Sequence, residues 1–128
     1  MGKEFGRVPG KESQLMFFYG TLKNMSHPGV ALKTENVFVR AKMYDLGSYP
    51  VVSPSYLDKS YGNLFEVDPA IIPDLDRYET KSYERIRMQV YKETQTGDEF
   101  VEEAWVYVGA PFFKMDESRK IETGRWNK

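Results

Sequence analysis

Three acidic residues lie close together in the middle of the chain. Asp74, Asp76 and Glu79 fall at the end of a predicted helical turn, and an aromatic strand starts shortly after them at Tyr83. A carboxylate among aromatic side chains can have a raised pKa and can carry a proton between reacting groups. Carboxylates at a helix end are more often ordinary surface charges. The pattern alone therefore leaves both interpretations of Glu79 open.

A second candidate is the run Met-Phe-Phe-Tyr-Gly-Thr-Leu-Lys at residues 16–23. Its consecutive large apolar side chains predict a short strand that is covered on both faces. Gly20 then lets the backbone turn sharply or approach a ligand closely, and Thr21 adds a hydroxyl beside several backbone N–H groups. We predict a ligand-binding loop at residues 19–22, with a plain strand-to-turn junction as the alternative.

Composition excludes several classes of function. The 128 residues carry 18 basic and 19 acidic side chains and a net charge of -1, which favours neither a nucleic-acid partner nor a membrane surface. The absence of cysteine and the single histidine, His27, argue against a zinc site and a cysteine nucleophile. We therefore expect no metal and no cofactor, a small-molecule partner and, without an apolar leader, a cytoplasmic location. The sequence makes no prediction about the oligomeric state.

Hydrophobic periodicity predicts a flexible N-terminal arm at residues 1–14 and one domain at residues 15–128. Strands are expected at residues 15–19, 37–44, 51–52, 61–67, 83–91 and 100–108. Residues 20–29 read as a loop, residues 30–32 as a short turn of helix, and Asp68-Pro69 as the start of a short helix. The predicted fold is α+β, a small mixed-sheet β-barrel of about six strands with short flanking helices.

Several segments, in order and at matching spacing, resemble the gamma-glutamylcyclotransferase-like family, which includes gamma-glutamylamine cyclotransferase and AIG2-like proteins. The resemblance runs from residue 15 to residue 126. The matching segments are Tyr-Gly-Thr-Leu at 19–22, Leu-Gly-Ser-Tyr-Pro at 46–50, Tyr-Gly-Asn-Leu-Phe-Glu-Val-Asp at 61–68, Leu-Asp-Arg-Tyr-Glu at 75–79, Tyr-Glu-Arg at 83–85, Ala-Trp-Val-Tyr at 104–107 and Thr-Gly-Arg-Trp at 123–126.

The resemblance implies a β-barrel with a cavity for a gamma-glutamyl group and release of 5-oxoproline by attack of the substrate's own α-amine. It implies that Glu79 is the catalytic acid and base. The substrate-binding residues expected on this basis are Tyr19, Gly20, Thr21, Leu22, Tyr49, Tyr83 and Tyr107. The hydroxyl group of Tyr107 or Tyr83 can add a hydrogen-bond donor to those of the loop.

Two other classes of function stay open at this level. One is a non-catalytic small-molecule binding domain on the same fold, which would bind a ligand without releasing 5-oxoproline. The other is an interaction module that uses its aromatic surface and has an occluded cavity.

Overall fold

The computed structural model describes residues 13–24, 26–79, 82–110 and 114–127. In chain order its elements are β1 (Gln14–Phe18), β2 (Val30–Val39), β3 (Ala41–Asp45), β4 (Pro50–Pro54), β5 (Ser60–Val67), α1 (Ile72–Glu79), β6 (Tyr83–Thr94) and β7 (Gly97–Gly109). Short 3-10 turns cover Thr21–Asn24, Pro69–Ile71 and Glu117–Arg119.

Five of the strands form a closed barrel in the order β1, β5, β2, β6, β7. β1 runs antiparallel to β5 and parallel to β7, whereas the other neighbours are antiparallel. β3 and β4 form a separate two-stranded sheet. The predicted mixed-sheet α+β barrel is therefore confirmed.

β1 is buried on both of its faces, as its apolar run predicts. Phe17 and the following Tyr19 point into the barrel interior, where they share a cluster with Trp126 from the C-terminal segment. Met16 and Phe18 point the other way, into a second cluster that also contains side chains of α1. The strand thus separates the barrel interior from the layer that carries α1.

The predicted turn of helix at residues 30–32 is wrong, because these residues belong to β2. The register of β2 against β5 shifts between Leu32 and Thr34 and again between Thr34 and Val37. A β-bulge inserts a residue and so breaks the alternation of inward and outward side chains. The strand pattern was hidden by these irregularities.

The single strand predicted at residues 37–44 is two strands. β2 ends at Val39, Arg40 lies between, and β3 begins at Ala41. Burial continues across the break, with Val39, Ala41 and Met43 in the same interior cluster. The alternation therefore did not reveal where the chain leaves the barrel.

The start of the helical region follows the prediction. The Asp68 side chain accepts a hydrogen bond of 2.9 Å from the Ala70 N–H, and Pro69 opens the 3-10 turn. α1 then begins at Ile72, so that Pro73 falls in its first turn, where the missing N–H does not interrupt the helix. Buried Ile72 and Leu75 fix α1 against the outer face of β1.

The predicted arm at residues 1–14 lies outside the described residues except for its last two, and Gln14 is the first residue of β1. Within the described part of the chain, every helix is too short or too polar to cross a membrane.

β1 and β5 pack so closely that the position of Gly62 leaves no room for a side chain. A Cβ at this position would lie 2.2 Å from the Phe18 carbonyl oxygen, a backbone atom that cannot move without opening the barrel. We expect Gly62→Ala to lower the free energy of unfolding by at least about 2 kcal/mol, as measured by chemical denaturation. Gly29→Ala is the control, because its Cβ would meet only ordinary contacts of 3.4 Å or longer. Equal stability of the two variants would contradict this packing.

Candidate active site

A cavity of about 450 Å³ opens where β1 ends, beside the last residues of α1. It is lined by the end of β1 and the turn after it, the turn before β4, the end of α1, the start of β6 and part of β7. The lining residues are Phe17, Phe18, Tyr19, Gly20, Thr21, Leu22, Ser48, Tyr49, Pro50, Tyr78, Glu79, Tyr83 and Tyr107. Every residue that the sequence analysis proposed for catalysis or substrate binding is among them. Their chemical roles stay predictions.

Contacts within the turn and with two neighbouring strands hold the turn after β1. A Cβ on Gly20 would lie 3.2 Å from the ring of Pro50, so glycine lets the turn pack closely against the first residue of β4. The Lys23 N–H donates to the Gly20 carbonyl at 3.0 Å, and the Asn63 side chain donates to the Lys23 carbonyl at 2.9 Å. These contacts fix the backbone of the predicted binding loop.

Backbone donors are available in this turn. The N–H groups of Gly20, Thr21 and Leu22 donate to no other group among the residues that the structure describes. A backbone N–H without a protein partner needs water or a ligand, because leaving it unsatisfied is costly. The turn therefore offers donors to a carboxylate or an oxyanion in the cavity.

Three cavity tyrosines donate their hydroxyl protons to the protein itself. Tyr19 donates to the Tyr107 carbonyl at 2.7 Å, and Tyr83 donates to the Pro50 carbonyl at 2.7 Å. The Tyr107 hydroxyl donates to a carboxylate oxygen of Asp76 at 2.6 Å. Carbonyl and carboxylate oxygens only accept, so each tyrosine must be the donor in its bond.

In this structure the hydroxyl protons of Tyr83 and Tyr107 are not available to a ligand. Each tyrosine has one O–H, and in both cases it is already used. The hydroxyl oxygens keep lone pairs that can accept a hydrogen bond. At these two tyrosines the cavity thus offers acceptors, and the turn after β1 offers backbone N–H groups as donors.

Glu79, the last residue of α1, places its carboxylate in this cavity. Burial raises its pKa from the ordinary 4.5 to about 7. No lysine or arginine among the described residues forms an ion pair with it that would offset the burial. Burial, with a smaller contribution from the negative charge of Glu79, also raises the pKa values of Tyr19 and Tyr83. A carboxyl that titrates near neutral pH can both accept and return a proton.

The three neighbouring acidic residues have different surroundings. Asp74 is 70% exposed and pairs on the surface with Arg77. Asp76 accepts two hydrogen bonds from Arg85, at 2.9 and 3.1 Å, and these lower its pKa. Of the three carboxylates, that of Glu79 alone lines the cavity.

Five lining residues were not singled out from the sequence: Phe17, Phe18, Ser48, Pro50 and Tyr78. Each lies one or two positions from a residue that was. Sequence proximity to residues 19, 49 and 79 was therefore the available signal, but it does not tell which neighbours face the cavity.

His27 does not line the cavity. Its side chain is exposed, and its Nδ1 atom accepts a hydrogen bond of 3.1 Å from the Gly29 N–H. Within residues 13–24, 26–79, 82–110 and 114–127, no group of three or more His, Cys, Asp or Glu residues could hold a metal ion.

Solved structures share this barrel. YkqA from Bacillus subtilis superposes with a TM-score of 0.66 and 25% identity over 89% of this chain, which spans only 39% of the length of YkqA. An AIG2-like protein from Mus musculus has a TM-score of 0.60 and 20% identity, with 92% of this chain and 97% of the mouse chain covered. A gamma-glutamyl cyclotransferase has a TM-score of 0.60 and 19% identity, with coverage of 77% and 68%. The likenesses to the mouse protein and to the gamma-glutamyl cyclotransferase show that these proteins share the fold of this chain.

The sequence itself defines the family. A family model described as gamma-glutamyl cyclotransferase, AIG2-like, matches residues 16–128. Because this match spans most of the chain, the protein belongs to that family, as the sequence motifs predict. No curated protein sequence matches the chain.

The buried carboxylate makes stability depend on pH. The pKa of Glu79 is about 7 in the folded protein and ordinarily 4.5. Between these pH values the folded state therefore binds more protons than the unfolded state. Stability should therefore fall as pH rises from 4.5 to about 7. Glu79→Gln removes this titration. We expect the variant to be more stable than wild type by about 1–2 kcal/mol at pH 8, after allowance for solvent screening, and equally stable at pH 4.

Urea denaturation at a series of pH values measures this difference. Asp74→Asn is the matched control, because Asp74 is exposed and its replacement makes the same acid-to-amide change on the same helix. A stability difference for Glu79→Gln that does not change between pH 4 and pH 8 would contradict the raised pKa.

Proposed function

We propose that this protein is a gamma-glutamyl cyclotransferase that releases 5-oxoproline from a gamma-glutamyl amine or peptide. Membership of the family supports this class of reaction. The observation that carries the proposal is that Glu79, whose pKa of about 7 suits proton transfer, lines the same cavity as residues 20–22, whose N–H groups have no partner among the described residues.

The reaction needs no external nucleophile. The substrate's α-amine nitrogen forms a bond to its own γ-carbonyl carbon, and the bond from that carbon to the leaving nitrogen breaks. Five-membered 5-oxoproline and a free amine result. Because both reacting groups belong to one molecule, the site has to fold the substrate so that nitrogen and carbonyl carbon meet.

Glu79 carries the proton between the two nitrogens. An α-amine is largely protonated at neutral pH and cannot attack in that form. The ionised Glu79 carboxylate takes a proton from the amine, and the resulting carboxylic acid gives a proton to the leaving nitrogen. A pKa close to the working pH lets one group perform both steps.

The remaining groups of the cavity fit the charges that develop. The N–H groups of Gly20, Thr21 and Leu22 suit the substrate carboxylate and the oxyanion that forms on the γ-carbonyl. The acceptor oxygens of Tyr83 and Tyr107 suit the protons on the α-ammonium group. Phe17, Phe18 and Tyr49 add apolar surface to the walls of the cavity.

A panel of gamma-glutamyl amines, dipeptides and gamma-glutamyl-lysine, assayed for 5-oxoproline, tests the proposal. We expect turnover of at least one class, and we expect Glu79→Gln to lower it by roughly 10²- to 10⁴-fold, because an amide cannot transfer the proton. The variant should still bind the substrate with similar affinity, because glutamine keeps the size and shape of the side chain.

Asp74→Asn serves as the control and should change turnover little, because Asp74 lies outside the cavity. Near-full activity of Glu79→Gln would contradict the role of Glu79. Binding of gamma-glutamyl compounds by wild type without release of 5-oxoproline would favour a non-catalytic binding domain instead.

A further inference from the structure

Asp76 lies one helical turn before Glu79 and joins α1 to two strands of the barrel. Arg85 of β6 donates to both of its carboxylate oxygens, at 2.9 and 3.1 Å. Tyr107 of β7 donates its hydroxyl proton to one of them at 2.6 Å. The Arg85 guanidinium also lies 4.2 Å from the centre of the Trp105 ring, which restricts its position. The carboxylate is thus held by groups that are themselves fixed.

This arrangement determines the direction of the hydrogen bond from Tyr107. The bonds from Arg85 lower the pKa of Asp76, so its carboxylate is ionised at neutral pH and can only accept. Tyr107 must therefore donate its single hydroxyl proton to Asp76. Its oxygen then has only lone pairs for any other partner.

Tyr19 and Tyr83 are held differently. Their protons go to the backbone carbonyls of Tyr107 and Pro50, which no side-chain substitution can remove. Tyr107 is the cavity tyrosine whose donor direction depends on another side chain. A substitution of Asp76 can therefore change whether the Tyr107 hydroxyl donates or accepts a hydrogen bond in the cavity.

We propose that Asp76 is a positioning residue that, held by Arg85, turns the Tyr107 hydroxyl into a hydrogen-bond acceptor for the protonated α-amine of the ligand. Asp76 itself does not line the cavity and acts through Tyr107. This inference rests on the proposed function, because that function supplies a ligand with an α-ammonium group. It adds a determinant of specificity, namely selection for ligands that carry a donor at that position.

Asp76→Leu should remove this fixed direction. The Asp76 oxygen that accepts from Tyr107 also accepts from the Arg85 Nε, so an asparagine would keep its oxygen there and retain the bond from Tyr107. Leucine has a similar size and offers no acceptor. The Tyr107 proton would then be released towards other partners, including the ligand. A donor would then oppose the donor of the α-ammonium group.

Two small ligands that differ at one group provide the test. L-Glutamine carries the α-ammonium group, whereas glutaric acid monoamide is the same chain without it. Affinities of wild type and variants for both are measured by titration calorimetry at pH 7. We expect Asp76→Leu to weaken L-glutamine binding roughly tenfold or more and to change the affinity for the monoamide by less than about twofold.

Tyr107→Phe gives a second variant that leaves the Arg85 and Asp76 pair in place. It removes the acceptor oxygen and should also weaken L-glutamine selectively. The double variant should lose little more than either single variant, because both act through one hydrogen bond. Asp74→Asn should leave both affinities unchanged.

The outcomes separate the inference from the function on which it rests. Equal loss of both ligands in Asp76→Leu and in Tyr107→Phe, or no loss of either, would overturn the positioning role while leaving the proposed function intact. A wild-type protein that binds neither L-glutamine nor the monoamide nor any gamma-glutamyl compound would overturn both.

Discussion

The burial of β1 on both faces is the constraint on which the rest of this structure depends. A five-residue strand closes the barrel by pairing with β5 on one side and β7 on the other. Its alternate side chains fill the barrel interior and the layer beneath α1. Burial of each large apolar side chain contributes about 1.5–3 kcal/mol, so the strand is fixed strongly for its length. The cavity forms where this fixed strand stops and the chain turns.

The same packing explains the chemistry of the site. α1 is held against β1 by buried Ile72 and Leu75, and its last residue, Glu79, is thereby carried to the mouth of the barrel. There the carboxylate lies among aromatic side chains without a paired cation among the described residues, and burial raises its pKa. The cavity has backbone N–H donors in the turn after β1 and acceptor oxygens at Tyr83 and Tyr107.

Much of the fold could be predicted from periodicity. The regular alternation of β6 and β7, and the Asp68-Pro69 start of the helical region, follow local rules that the sequence displays directly. β2 could not be predicted in full, because its bulges between Leu32 and Val37 disturb the alternation. The break at Arg40 was equally hidden, since burial runs on from β2 into β3.

The cavity residues were proposed from the family motifs rather than from periodicity, and the structure brings them to one cavity. The direction of the tyrosine hydrogen bonds could not be foreseen. It depends on contacts between residues far apart in sequence, such as Tyr107 with Asp76, 31 residues away, and Tyr19 with Tyr107, 88 residues away. Local sequence rules carry no information about such pairs, so Asp76 looked like an ordinary helix-end charge.

Burial in the cavity makes the carboxyl of Glu79 titrate near neutral pH. Carbon-13 NMR of protein labelled at the glutamate side-chain carboxyl measures this titration directly. The signal of Glu79 is assigned by its absence from the spectrum of Glu79→Gln. We expect the Glu79 carboxyl to have a titration midpoint near 7. A midpoint at or below the ordinary 4.5 would contradict it, because the carboxylate would then be solvated or paired rather than buried in the cavity.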